Sequence, residues 1–289
     1  MTRDIKHLQI YIITTEKFWK EVRLLKNMST ILDKIAAYTA KRIALEKKAL
    51  SLSEIKQRAL MTEVRGDFHF EKALSEEGIS FICECKKASP SKGLIAPDFD
   101  YLQIAKDYEL AGASCISVLT EPKWFLGEDR FLTEISQAVS IPCLRKDFTV
   151  DEYMIYQAKL LGASAVLLIC SLLDRRTLAE YINVCDTLGL SALVEAHDED
   201  EIYSALQAGA RIIGVNNRNL KTFTVDFDNS LRLRRLVPDD VIFVAESGIR
   251  DRADILKLLD CGVDAVLIGE TLMRSQNKKA MLDSLAGRE

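Results

Sequence analysis

From Ile79 to the C-terminus the chain alternates between two hydrophobic patterns. Stretches with apolar residues three and four positions apart end in Gly and a small residue, and a short, nearly continuous apolar run follows each. The repeat reads Tyr108-Glu-Leu-Ala-Gly-Ala-Ser-Cys-Ile-Ser-Val-Leu119, Lys159-Leu-Leu-Gly-Ala-Ser-Ala-Val-Leu-Leu-Ile169, Leu206-Gln-Ala-Gly-Ala-Arg-Ile-Ile-Gly-Val215 and Leu259-Asp-Cys-Gly-Val-Asp-Ala-Val-Leu-Ile268. The first pattern is an amphipathic helix, and Gly112, Gly162, Gly209 and Gly262 fall where a helix end takes a left-handed residue. The second is a strand buried on both faces, as in a parallel sheet. Eight strands are predicted, at 79–85, 114–119, 141–145, 164–169, 191–195, 211–216, 241–246 and 264–268. Helices separate them near 98–111, 129–139, 151–162, 174–189, 198–208, 228–236, 250–261 and 271–284. Eight βα units in succession make an α/β chain of the (β/α)8, or TIM, barrel type. A doubly wound sheet has no reason to stop at eight units, and no Gly-x-Gly-x-x-Gly follows the first strand.

Ahead of the barrel the pattern predicts an N-terminal helical extension over 28–78. Thr30 caps a helix over 31–48, with Ile31, Ile35, Tyr38 and Leu45 on one face. Ser51 and Glu54 form a capping box for a second helix near 52–62. Asp67 starts a third, covering Phe68 to Leu74. These helices are expected to cover the bottom of the barrel or flank its mouth. Residues 1–27 stand apart, with six Lys and Arg against three Asp and Glu and weak periodicity. They read as an appended segment with little part in stability or catalysis, and Met28 is a candidate start. The expected organisation is 1–27 appended, 28–78 helical, and 79–289 barrel.

Composition narrows the function. With 289 residues and 48% hydrophobic content the chain can bury the core of one large domain. A formal charge of −4 without a basic, aromatic-interleaved stripe argues against nucleic acid. No apolar run reaches membrane-spanning length. The short run Leu8 to Thr14 lacks a following small-residue cleavage site, and Asp4, Glu16 and Glu21 make the N-terminus a poor transit peptide. The seven cysteines (83, 85, 115, 143, 170, 185 and 261) lie mostly in apolar runs without zinc-type pairing. Free thiols in a cytoplasmic protein, and no metal, are expected.

The candidate chemistry lies where strands end. In Ile82-Cys-Glu-Cys-Lys-Lys-Ala-Ser-Pro-Ser-Lys-Gly-Leu-Ile95, Glu84 and Lys86 share one face of the first strand, because side chains two apart project the same way. Burying two ionisable groups costs several kcal/mol unless they are paired or used. The third strand ends Leu144-Arg-Lys-Asp-Phe148, the fifth Leu193-Val-Glu-Ala-His197 and the sixth Val215-Asn-Asn-Arg-Asn-Leu220. The seventh ends Val244-Ala-Glu-Ser-Gly-Ile249 and the eighth Ile268-Gly-Glu-Thr271. Apart from Arg211 and Asp264, the opposite strand ends are apolar or small. A solvated rim would be polar at both ends, so the asymmetry marks a site at the C-terminal face, where barrels of this type carry their chemistry. Ser247-Gly248 and Gly269-Glu270 occupy the loops that bind phosphate in this architecture, where small residues let backbone N–H groups approach an anion. Glu270 would have to serve through its backbone, and Arg218 adds a nearby cation. Cys83 and Cys85 have the opposite parity to Glu84 and are expected to pack outward against helices. His197 is expected to support the site from a loop.

These residues resemble the indole-3-glycerol-phosphate synthase family. Its first-strand signature, Glu-x-Lys-[Lys/Arg]-x-Ser-Pro-Ser, is matched without a gap from Glu84 to Ser91. The similarity continues through Ser117-Val-Leu-Thr-Glu-Pro-Lys-Trp-Phe-Leu-Gly127, Leu144 to Phe148, Leu193 to His197, Gly214 to Leu220, Ala245 to Ile249 and Leu267 to Gly269, spanning roughly residues 29–286. Residues 1–27 match nothing in it. The resemblance implies ring closure, decarboxylation and dehydration of 1-(2-carboxyphenylamino)-1-deoxyribulose 5-phosphate to indole-3-glycerol phosphate, in tryptophan biosynthesis. It assigns Lys146 as proton donor to the ribulose carbonyl, with its pKa expected to be lowered by burial and by cations such as Lys86. Lys86 would bind the anthranilate carboxylate and assist dehydration. Glu195 would act as base or stabilise positive charge, and Glu84 would take part in later proton transfers. Asn216 would orient Glu195, and Glu246 would hold lysine and hydroxyl groups or serve only as a structural partner of Lys146. Phe125 and Phe148 would wall the aromatic pocket, and Ser89, Arg218, Ser247, Gly248 and Gly269 would hold the phosphate.

The resemblance further implies a carboxy-lyase without metal or organic cofactor, acting on a small phosphorylated molecule. The expected state is a cytoplasmic monomer or weak homo-oligomer that binds neither nucleic acid nor membrane. With one barrel, a one-function polypeptide is expected. The alternatives are another phosphate-sugar barrel, isomerase or synthase, and a catalytically inactive binding barrel. The first would need a different first strand, and the second should have lost some of the strand-end ionisable groups.

Overall fold

The computed structural model describes residues 30–63, 68–220 and 222–288. Residues 1–27 and Asp67 lie outside them. Eight parallel strands close on themselves: β1 (Ser80–Cys85), β2 (Cys115–Leu119), β3 (Cys143–Lys146), β4 (Ala165–Ile169), β5 (Ser191–Ala196), β6 (Ile212–Asn216), β7 (Ile242–Glu246) and β8 (Ala265–Ile268). Each pairs with its neighbours in sequence, and β1 closes against β8 through Ser80 to Cys83 opposite Ala265 to Ile268. The strands begin and end within two residues of the positions read from the sequence. Gly112, Gly162, Gly209 and Gly262 have φ between +74° and +87°, the left-handed conformation expected past a helix end.

Three helices precede the barrel: α1 (Ile31–Ala49), α2 (Leu52–Met61) and α3 (His69–Leu74). Thr30 with Asp33 and Ser51 with Glu54 both form reciprocal capping boxes. The buried stripe of α1 is Leu32, Ile35, Thr39 and Ile43, whereas Leu45 is exposed. At 3.6 residues per turn Leu45 lies about 80° away from Ile35, outside the stripe. Helix α1 lines the mouth through Ile31, Leu32 and Ile35. The first turn of α3 starts from Phe68 at φ 53° without a side-chain cap. Phe70 and Leu74 then plug the bottom of the barrel, packed with inward Ile82, Cys115 and Ala265.

The barrel helices are α4 (Tyr101–Leu110), α5 (Asp129–Ala138), α6 (Tyr153–Leu160), α7 (Arg175–Thr187), α8 (Glu199–Gln207), α9 (Asp228–Arg234) and α10 (Arg252–Asp260). The helix expected over 271–284 is instead two, α11 (Glu270–Arg274) and α12 (Lys278–Ala286). Ser275 is extended, and Asn277 restarts the chain by accepting a bond from the Ala280 N–H. The stretch after β1, read as a loop, contains a two-residue antiparallel pairing of Ala88–Ser89 with Gly93–Leu94.

Two apolar layers result. Cys83 and Cys85 lie outside the strands with Ile104, Ala105 and Tyr108 of α4, as their parity requires. Ile82, Leu144, Leu193 and Val244 fill the barrel interior. One strand step further along, at the same parity, stand Glu84, Lys146, Glu195 and Glu246. At the bottom, Arg211 pairs with Glu71 at 3.1 Å and Asp186 at 2.9 Å, and Asp264 accepts the Phe243 N–H at 2.7 Å. Both exceptions to the apolar bottom are therefore structural. All seven cysteines are free; five are buried, Cys170 is half-buried and Cys261 is exposed. No described helix is long and apolar enough to cross a membrane.

Candidate active site

The strand C-termini surround a cavity of about 650 Å³. Glu84, Lys86, Lys146, Glu195, Asn216 and Glu246 all line it, as do Phe125, Phe148, Ser89, Arg218, Ser247, Gly248 and Gly269. Every residue to which the resemblance assigns a catalytic or binding role thus faces one space.

Lys146 joins two of the carboxylates that line it. Its ammonium donates to Glu195 Oε2 at 3.1 Å and Glu246 Oε2 at 3.2 Å. Burial disfavours the charged amine, but Glu246, Glu195 and Glu84 outweigh it, so the Lys146 pKa is raised. The sequence alone predicts a lowered value. Burial does act in the expected direction, but the summed charge of the three carboxylates that the barrel brings round the ammonium reverses the sign. Burial also acts on both acidic partners. Glu195 is held below its ordinary value by Lys146, His197 and a bond from the Asn216 amide. Glu246 is pushed up to about 7, because burial is reinforced by the negative charge of Glu195 and Glu84. The two carboxylates that share Lys146 are thus driven in opposite directions. Lys86 lies across the site, donating to Glu84 Oε1 at 2.5 Å.

Several supporting residues escaped the sequence reading. Gly214 on β6 faces Glu195 in register, and a Cβ there would collide with Glu246 Oε1. A glycine inside a strand signals such a close approach. Gly269 likewise leaves room for Glu84 and Lys86. Asp147, fully buried beside Lys146, accepts from Arg42 at 2.8 Å, Thr120 at 2.9 Å and the Phe148 N–H at 2.8 Å, which ties α1 to the end of β3. Glu121 accepts three backbone N–H groups, from Lys123, Trp124 and Phe125, and so fixes the loop carrying Phe125. The Phe125 and Phe148 rings stand 5.9 Å apart at 41°.

The end of the cavity beyond β7 and β8 has its own scaffold. Ser247 adopts φ 68°, unusual for a residue with a Cβ. Its carbonyl accepts from Asn217 Nδ2 at 3.1 Å, while Asn217 Oδ1 accepts the N–H and hydroxyl of Ser230. Glu270 lines the same end of the cavity, with its carboxylate paired to Lys92 at 3.2 Å, Arg274 at 3.1 Å and Arg218 at 3.5 Å.

The family model for indole-3-glycerol phosphate synthase matches residues 32–285. The chain belongs to the indole-3-glycerol phosphate synthase family. A relative of that name from Ruminiclostridium cellulolyticum is 60% identical over 89% of this chain and 99% of its own length. Another, from Lachnoclostridium phytofermentans, is 53% identical over 88% of this chain and 98% of its own. Indole-3-glycerol phosphate synthases are carboxy-lyases of tryptophan biosynthesis. Among solved structures, a 3-hexulose-6-phosphate synthase superposes with a TM-score of 0.60 at 16% identity, covering 73% of this chain and all of its own. At that identity the likeness is one of fold.

Proposed function

We propose that the chain catalyses the synthase reaction of its family: conversion of 1-(2-carboxyphenylamino)-1-deoxyribulose 5-phosphate to indole-3-glycerol phosphate. The observation that carries the reading is one ammonium, Lys146, held between two carboxylates of opposite pKa displacement, in a cavity that also holds a second lysine and two aromatic rings.

Ring closure joins the carboxylate-bearing ring carbon to the ribulose C2 carbonyl carbon, and the carbonyl oxygen takes a proton. Lys146 supplies it. The raised pKa keeps this donor loaded at neutral pH, and the alkoxide forming at C2 is a far stronger base than the amine. Charge on the arylamine nitrogen and ring is stabilised by Glu195. Loss of carbon dioxide restores the aromatic ring, so the ring itself is the electron sink. Lys86 binds the departing carboxylate and then assists loss of the C2 hydroxyl as water, with Glu84 taking part in the proton transfers. Asn216 orients Glu195 through its amide, and Glu246 holds Lys146. Phe125 and Phe148 wall the aryl ring, and Ser89, Arg218, Ser247, Gly248 and Gly269 hold the phosphate.

We also infer that no metal or organic cofactor takes part, and that residues 28–78 and 79–289 form one working unit. The protein would act in the cytoplasm as a monomer or weak homo-oligomer, binding neither nucleic acid nor membrane. The free cysteines and acidic charge balance support this setting. The test is to add the substrate to the purified chain and follow indole fluorescence, with and without a chelator. Turnover insensitive to the chelator is expected. No fluorescence from folded protein would sink the activity, and chelator-sensitive turnover restored by one metal would sink the cofactor-free mechanism.

A further inference from the structure

His197, just beyond β5, is held more firmly than a loop residue needs to be. Its backbone N–H donates to Glu201 Oε2 at 2.8 Å, and its Nδ1 lies 3.1 Å from the same oxygen. Its carbonyl accepts from Asn229 Nδ2 at 3.1 Å. Glu201 is itself anchored in the first turn of α8 by a bond from its N–H to Asp198. The two backbone bonds fix the residue and the Nδ1 contact orients the ring, with Nε2 toward Glu195. That nitrogen is buried, has no hydrogen-bond partner, and stops 3.6 Å from Glu195 Oε1, the oxygen not used by Lys146.

We propose that His197 is a positioning residue for the reaction, an imidazolium clamped by Glu201 that holds the carboxylate of Glu195 in its ionised form and turns its other oxygen toward Lys146 and the substrate. The inference rests on the role given to Glu195 above. A neutral ring with its proton on Nδ1 would present a lone pair to a carboxylate, whereas the doubly protonated ring offers an N–H to each of its acidic neighbours. The groups facing the ring are consistent with this form. Glu195 comes from β5, Glu201 from α8 and Glu246 from β7; burial opposes the charge, but these three acids raise the imidazole's pKa. Cys170, at the end of β4, donates to the Glu201 carbonyl, and burial with the nearby acids pushes its thiol up to about 12, so it adds no charge. Lys146 pairs with the other oxygen of the same carboxylate, at 3.1 Å.

The test compares pH profiles of kcat and KM for the full chain and for His197→Gln, Glu201→Gln and Glu195→Gln. For His197→Gln the acid limb of kcat is expected to move to higher pH, with about tenfold less turnover on the acidic side, the scale set by losing an opposite charge within about 4–6 Å. KM should be unchanged, and kcat should approach the wild-type value at alkaline pH. Glu201→Gln should shift the limb in the same direction by less. A loss independent of pH, a change confined to KM, or an unmoved profile would overturn the proposal. If His197→Gln does not fold, the imidazole titration followed by NMR in Glu201→Gln decides. The chain has three histidines, so the resonance is assignable, and its pKa must fall relative to wild type. An unmoved titration overturns the clamp. Turnover retained by Glu195→Gln would instead overturn the role of Glu195 on which the inference stands.

Discussion

Gly214 and Glu246 are fitted to one another across adjacent strands: the space a Cβ would fill at Gly214 is occupied by Glu246 Oε1. That oxygen is buried and has no hydrogen-bond partner in the described structure, while its twin accepts from Lys146. Gly214→Ala should therefore displace the carboxylate and, through it, the ammonium. Overpacking of this kind costs about 1–3 kcal/mol, and a misplaced catalytic group on the order of 10²-fold in rate. Thermal melts and kcat of the variant check both, and wild-type turnover would show that the fit is not needed.

Lys146→Met and Lys86→Met should fail differently. Methionine keeps most of the length and packing of lysine but cannot donate a proton. Loss of a positioned general acid lowers turnover by about 10²–10⁴-fold, so Lys146→Met should lose kcat and keep affinity. Lys86→Met should lose affinity as well, since Lys86 is assigned to the substrate carboxylate. Dissociation constants must be measured directly, because KM mixes binding with chemistry. Identical behaviour of the two variants would leave their division of labour without support.

Glu246 gives a pH signature in stability. Its folded pKa of about 7 lies above its ordinary value of 4.5. The folded state binds this proton more tightly than the unfolded chain, so the contribution is complete below the unfolded value and is lost as pH rises through about 7. Glu246→Gln cannot ionise. Its melting temperature should match the wild type below about pH 4.5, exceed it increasingly between about pH 4.5 and 7, and exceed it by a constant amount above that, while turnover falls. A difference that does not change with pH would refute this.

Asn217→Leu should loosen the anion end. It leaves the Ser247 carbonyl and the Ser230 N–H without their bonds, and each unsatisfied buried group costs about 1–3 kcal/mol. Freed from Asn217, Ser247 would relax from its left-handed backbone. Substrate affinity should fall more than turnover of bound substrate, and inorganic phosphate should weaken as an inhibitor in parallel. Unchanged phosphate inhibition would separate Asn217 from the phosphate site.

Removing residues 1–27 should leave melting temperature and turnover unaltered. The first described helix is capped by Thr30, and the family match starts at residue 32. A substantial drop in both would give the segment an integrated role.

The local chain determined the barrel and the inward direction of its chemistry. Period two alone carries Ile82 to Glu84, Leu144 to Lys146, Leu193 to Glu195 and Val244 to Glu246, so an inward apolar layer predicts an inward polar one. Left-handed glycines and capping boxes are likewise set by bonds within a few residues. What the sequence could not yield depends on groups far apart along it. Leu45 falls outside the buried face because helical phase drifts over ten positions, and the last helix divides because Asn277 can cap as well as continue. The sign of the Lys146 shift is a sum over Glu84, Glu195 and Glu246, which only the closed barrel brings near. The reach of Asn217 to Ser247, and the space Gly214 leaves for Glu246, depend on the register and twist of β6 against β7. Electrostatic and steric energies fall off with distance in space, and the tertiary structure alone fixed those distances.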